Sequence, residues 1–146
     1  MAAPTNTQFA VAIHVLTLLS GHRDTPLSSD DMAGSVGANP VYLRRVLGRL
    51  RETGFVGSRP GPKGGWHLTR EPEAITLGDV WRAIQCDAAI FGLHATAPEC
   101  PVGREITATL TALDEQLSRT VLEELDRTTV AQVMPDHAAQ IPGSAG

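Results

Sequence analysis

Seven basic side chains fall between residues 39 and 70: Arg44, Arg45, Arg49, Arg51, Arg59, Lys63 and Arg70, against one acid, Glu52. Guanidinium and ammonium groups at this density suit one task above others, the neutralisation of a polyanion. Arginine adds bidentate hydrogen bonding to phosphate or guanine. Residues 39–70 carry +6 and residues 86–146 carry −6. The formal net charge of −4 over 146 residues is therefore an average of opposed blocks. A basic block beside an acidic one is a nucleic-acid signature that the total conceals.

Catalysis has no comparable constellation. The sequence shows no carboxylate pair in a plausible cleft and no nucleophile with its base, so no enzyme is expected. Gly61 to Gly65 is glycine-rich, but it belongs to a hairpin and not to a strand-to-helix turn that cradles phosphate. Two cysteines, Cys86 and Cys100, make neither a disulfide scaffold nor a short-spaced zinc pair. They share the segment 86–101 with His94 and Glu99. Cys100, just before a helix start, is either a buried structural residue, a thiol sensor or a metal ligand; Cys86 and His94 complete the candidate sensor set. His14 and His67 read as packing or surface residues. No metal and no cofactor are expected.

Hydrophobic residues at 42%, charged residues at 19% and a mean hydropathy of −0.06 describe a soluble globular chain. No run approaches the ~18 apolar residues of a membrane span, so no membrane partner is expected. The absence of a basic n-region with a cleavage site makes the cytoplasm the expected location.

The elements that must position the basic groups follow from periodicity and caps. Thr7 or Asn6 caps a first helix with Phe9, Ala10, Ile13, Leu16 and Leu19 inward, ended by Gly21. A polar link from His22 to Leu27 precedes Ser28 or Ser29, the cap of a short helix that stops at Gly37. Asn39 and Pro40 start a longer helix to about Thr53, with Leu43, Val46, Leu47 and Leu50 inward and Gly54 as terminator. Two such helices across a short glycine-containing turn form a helix-turn-helix, whose second helix enters the major groove. Tyr42, Arg44, Arg45, Arg49 and Arg51 lie away from its leucine stripe. A solvated basic face on an ordinary helical hairpin is the alternative. Phe55-Val56 and Trp66-His67-Leu68 then read as strands around a basic turn, a wing in which Gly64 and Gly65 let the backbone approach DNA closely.

Thr76 and Asp79 form a capping-box-like start for a helix with Leu77, Val80, Trp81 and Ile84. After the loop comes the longest pattern, Val102 to Asp126, with Val102, Ile106, Leu110, Leu113, Leu117, Val121 and Leu125 in one stripe. At 1.5 Å per residue it spans about 37 Å, and such a stripe calls for a partner helix, most simply its own copy. Thr128 or Thr129 caps a last short helix with Val130, Val133 and Met134 inward. The expected organisation is a mainly α chain with a small β-hairpin wing: a winged helix-turn-helix domain over 6–85, a sensing or linker loop over 86–101, a dimerisation helix and short packing helix over 102–134, and a disordered tail over 135–146.

The strings Val41-Tyr42-Leu43-Arg44-Arg45-Val46-Leu47-Gly48-Arg49-Leu50-Arg51, Gly61-Pro62-Lys63-Gly64-Gly65-Trp66-His67-Leu68 and Ile75-Thr76-Leu77-Gly78-Asp79-Val80 resemble the Rrf2 family of bacterial winged-helix regulators. The resemblance implies a homodimer, joined through the 102–126 helix, that binds a palindromic operator in double-stranded DNA as a repressor. It places Asn39, Tyr42 and Arg44 on the recognition helix and Arg59 to Gly65 on the wing; the expected DNA contacts are Ser28, Asn39, Tyr42, Arg44, Arg45, Arg49, Arg59, Lys63, Gly64 and Gly65. Where the family has an arginine directly before the wing's Gly-Pro-x-Gly-Gly, this chain has Pro60, with Arg59 one place earlier. Cluster-binding members carry three closely spaced cysteines before the long helix. Cys100 matches the last of them and nothing from Asp87 to Glu99 is cysteine, which places the chain with the cluster-free branch. Two alternatives stay open: a winged-helix module that binds an acidic protein partner, and an iron–sulfur-sensing regulator using Cys86, Cys100, His94 and an acid.

Overall fold

A computed structural model describes residues 7–85 and 89–133. The order is α1 (Thr7–Gly21), α2 (Ser29–Val36), α3 (Pro40–Glu52), β1 (Val56–Arg59), β2 (Gly65–Leu68), a 3₁₀ turn (Pro72–Ala74), α4 (Leu77–Gln85), α5 (Pro101–Leu125) and α6 (Val130–Val133). Asn6, Cys86, Met134 and the tail expected to be disordered lie outside the described residues.

Helix α1 is the pillar of the domain. The expected stripe is too narrow: Val11, Ala12, Val15, Leu16, Leu18 and Leu19 are all buried, whereas Ala10 is exposed. The physical reason is that α2, α3, α4, α6 and β2 all pack around α1, and a helix enclosed on most sides loses the one-sided pattern that periodicity detects.

The caps behave as the residue types require. The Ser28 hydroxyl accepts from the Asp31 N–H at 3.1 Å, and Gly37 closes α2 in the left-handed conformation at φ 70°. Asn39 Oδ1 accepts from the Val41 N–H at 2.8 Å, with Pro40 at the first helical position of α3. At α4 the capping box is reciprocal. The Thr76 N–H donates to Asp79 Oδ2 and the Asp79 N–H donates to Thr76 Oγ1, both at 3.0 Å.

Strands β1 and β2 pair antiparallel with Val56 opposite Leu68 and Arg59 opposite Gly65. Leu27, in the link expected to be merely polar, is buried and exchanges both backbone hydrogen bonds with Trp66, at 3.0 and 2.8 Å. It acts as a third, one-residue strand that docks the wing on the start of α2.

The C-terminal segment returns to the domain at one point. The Leu77 N–H donates to the Thr128 carbonyl at 2.8 Å and the Val130 N–H to the Ile75 carbonyl at 2.9 Å. Val130 is fully buried, but Val133, expected inward, is exposed; α6 is one turn long and only its first residue reaches the core. Beside this junction Asp126 accepts from both terminal nitrogens of Arg82, at 2.9 and 2.7 Å, and from the Thr76 hydroxyl at 3.1 Å. A Cβ on Gly78 would collide with that carboxylate.

The hydrogen bond from Arg82 foremost holds the Asp126 carboxyl below its ordinary range; desolvation opposes it, and the Thr76 hydroxyl and the Arg82 charge add to the lowering. Its contribution is therefore present above the unfolded value of about 3.9 and is lost as pH falls through the lower folded value. The two side chains are 48% and 38% exposed, so screening keeps the pair within about 1 kcal/mol. Asp126→Asn should lower Tm at pH 7 by about 2–5 °C, and thermal melts should show the gap to the unsubstituted protein closing as pH falls below the ordinary carboxylate value of about 3.9.

Candidate nucleic-acid interface

The second helix of the helix-turn-helix is fixed by what it buries. Leu43, Val46, Leu47 and Leu50 are at most 1% exposed, which turns residues 41, 44, 45 and 48 outward at i, i+3, i+4 and i+7 spacing. Arg44 and Arg45 are exposed, as are Arg59 and Lys63 on the wing. Val41, which the sequence did not single out, is exposed on the same helix face.

Other candidates are engaged within the fold. Arg49 is the clearest departure from expectation: its side chain is half-buried and donates to the Ile84 carbonyl at 2.7 Å, near the C-terminal end of α4. An arginine there satisfies a helix-end carbonyl and complements the negative end of the dipole. Tyr42 is half-buried and packs against the core instead of standing clear of it. Ser28 is exposed, yet its hydroxyl also donates to Asp31 Oδ2 at 2.6 Å. Asn39 is exposed, and its side-chain oxygen caps α3.

The wing glycines have an internal cause. Gly65 adopts φ 143°, and a Cβ there would stand 2.7 Å from the Leu27 carbonyl oxygen. A Cβ on Gly64 would collide with the Arg59 carbonyl oxygen. Both glycines are thus demanded by the hairpin and its docking on Leu27, independently of any ligand. Helix and wing are further joined by the Arg51 guanidinium lying 5.6 Å from the centre of the Trp66 ring. No sequence spacing announced this contact. It follows from the antiparallel register, which returns Trp66 alongside the end of α3.

Of the candidate sensor residues, Cys86 lies outside the described residues, and Cys100 and His94 lie at the end and in the middle of the loop before α5. Cys100 is half-buried and its Sγ accepts from the Gly103 N–H at 3.4 Å as the cap of α5. His94 is exposed. The described part of the loop leans on α5: the Phe91 N–H donates to Asp114 at 2.8 Å, and Thr96 fills the space beside Gly103. Between α4 and α5 runs an open cleft of about 440 Å³ lined by Trp81, Arg82, Asp114, Arg119 and Leu122.

Comparison with known proteins gives a consistent result. The Rrf2 family model, described as an iron-dependent transcriptional regulator, matches residues 5–136. YwnA of Bacillus subtilis, named as an HTH-type transcriptional regulator, is 37% identical over 130 residues, covering 88% of this chain and 96% of that protein. The solved structure of CymR, the global cysteine regulator of B. subtilis, superposes with a TM-score of 0.63 at 27% identity, covering 91% of this chain and 96% of that one. The crystal structure of a transcriptional regulator from Lactobacillus plantarum gives a TM-score of 0.76 at 26% identity, covering 88% of each chain.

The iron in that family description requires several converging Cys, His or carboxylate ligands. Among the described residues no three His, Cys, Asp or Glu side chains come together in that way. The described residues do not fit an iron site.

The division between outward and committed arginines is measurable. Arg49→Ala should cost about 1.5–3 kcal/mol by leaving a half-buried carbonyl without its charged donor. Arg44→Ala and Arg45→Ala should each stay within about 0.5 kcal/mol of the unsubstituted protein in urea unfolding.

Proposed function

The chain belongs to the Rrf2 family of DNA-binding transcriptional regulators, and from that membership we propose that it acts as a homodimeric repressor on a palindromic operator. The observation that carries this reading is the exposure of Arg44, Arg45, Arg59 and Lys63, on a helix whose Leu43, Val46, Leu47 and Leu50 are locked into the core and on the wing that follows it. In a helix-turn-helix the N-terminal turns of the second helix reach base edges in the major groove. Arg44 is suited to bidentate recognition of guanine, Arg45 and Lys63 to phosphate, and Arg59 to the backbone or minor groove beside the wing. Asn39 contributes through the helix start it caps, where backbone N–H groups face an incoming phosphate.

Dimerisation is supported by α5. Val102, Ile106, Leu113 and Leu117 are 65%, 43%, 43% and 40% exposed, a row of large apolar side chains at helical spacing with no cover from the chain's own core. Water contact over such a row is unfavourable, and a second copy across a two-fold axis removes it. Two copies related in this way present two recognition helices, which makes the matching DNA site a palindrome. The acidic residues of the same region repel phosphate, so α5 stays clear of the duplex while α3 and the wing approach it.

Three measurements test the reading. Affinity for duplexes selected from a randomised library should fall linearly with salt on a log–log plot, with a slope of several, as phosphate neutralisation requires. Arg44→Ala should reduce discrimination between selected and random duplex by about 1–3 kcal/mol per base contact. Leu113→Glu combined with Leu117→Glu should sediment as a monomer and lose preference for two half-sites over one. A protein that binds without salt dependence, or that keeps its dimer after both substitutions, would sink the corresponding part of the proposal.

A further inference from the structure

Two residues on the outward face of α3 are poor choices for the fold alone. Val41 is 63% exposed, and its β-branched side chain favours helix less than most alternatives. Gly48 sits in the middle of the same helix, where alanine is the better helix former, and a Cβ there would meet nothing within 4 Å. Neither residue is explained by packing. Both lie on the face that carries Arg44 and Arg45, so an apolar contact at one end and extra clearance in the middle share a stripe with two guanidinium groups.

The surface that rewards this combination is the major groove. Its donor and acceptor edges suit arginine, and its one apolar feature is the 5-methyl group of thymine. Val41 stands in the first turn of α3, two residues after the Asn39 cap, and that turn of a recognition helix reaches base edges. The missing side chain at Gly48 lets the body of the helix come closer to the duplex, which seats the first turn deeper. We infer that Val41 is a specificity-determining residue that packs against a thymine methyl group in each half-site. The inference rests on the DNA-binding reading above and adds to it a base identity at one position.

The test removes the methyl group and nothing else. A duplex is first selected from a randomised library with the full chain. Its thymines are then replaced by deoxyuridine, one symmetric pair at a time, which leaves base pairing and every hydrogen-bonding edge unchanged. Affinity should fall roughly fourfold per half-site at one pair and stay constant at the others, the effect of exposing one methyl-sized apolar group. Val41→Ala should bind the thymine and deoxyuridine duplexes equally at that pair, with a melting temperature no lower than that of the unsubstituted protein, since alanine is the better helix former. Indifference of the unsubstituted protein to every replacement would overturn the inference while leaving DNA binding intact. So would a Val41→Ala protein that keeps the full thymine preference. Failure of the unsubstituted protein to select any duplex would overturn the DNA-binding reading itself, and this inference with it.

Discussion

Burial of Leu43, Val46, Leu47 and Leu50 against α1 is the constraint from which the rest of the molecule follows. Each of these side chains is at most 1% exposed, and each contributes about 1.5–3 kcal/mol relative to exposure, an upper figure because unfolded chains already hide some apolar surface. Successive helical residues are separated by about 100°, so rolling α3 by one position would bring arginines toward the core and leucines into water. The outward arginines are thus set by the inward leucines. The outward direction of Arg44 and Arg45 is obtained here from a hydrophobic constraint.

Around that helix, polar contacts serve as locks. Arg49 ties the middle of α3 to the end of α4 through the Ile84 carbonyl. Arg51 lies over the Trp66 ring of the wing, and Trp66 is held by the Leu27 backbone. Of the four basic residues on α3, two therefore contact neighbouring elements of the fold and two stand exposed. A charge count cannot make that division. It depends on which carbonyls and rings the neighbouring elements bring within reach.

The opposed charge blocks acquire a spatial meaning in the same way. The basic segment is the helix and wing, whereas five of the nine acids of the acidic segment lie on α5. Helix α5 is joined to the domain at its C-terminal end, where Asp126 meets Arg82 and Thr76 and where Thr128 and Val130 bond the start of α4. Its N-terminal half carries the loop that leans on it.

The sequence by itself determined most of the local structure: the caps at Ser28, Asn39 and Thr76, the stops at Gly37 and Gly54, the hairpin, and the long apolar row from Val102 to Leu125. These are encoded by residues within a turn or two of one another, so short-range chemistry suffices. Tertiary structure decided what long-range packing controls. It enclosed α1 on most sides, recruited Leu27 to the wing, turned Arg49 and Tyr42 toward the fold, left Val133 in solvent, and gave Gly64 and Gly65 a steric cause inside the hairpin. Periodicity reports how many faces of a helix are apolar, but it does not report which neighbour will offer a carbonyl or a ring. That is why a candidate interface could be read from the sequence, while which of its side chains stand exposed emerged only from the fold.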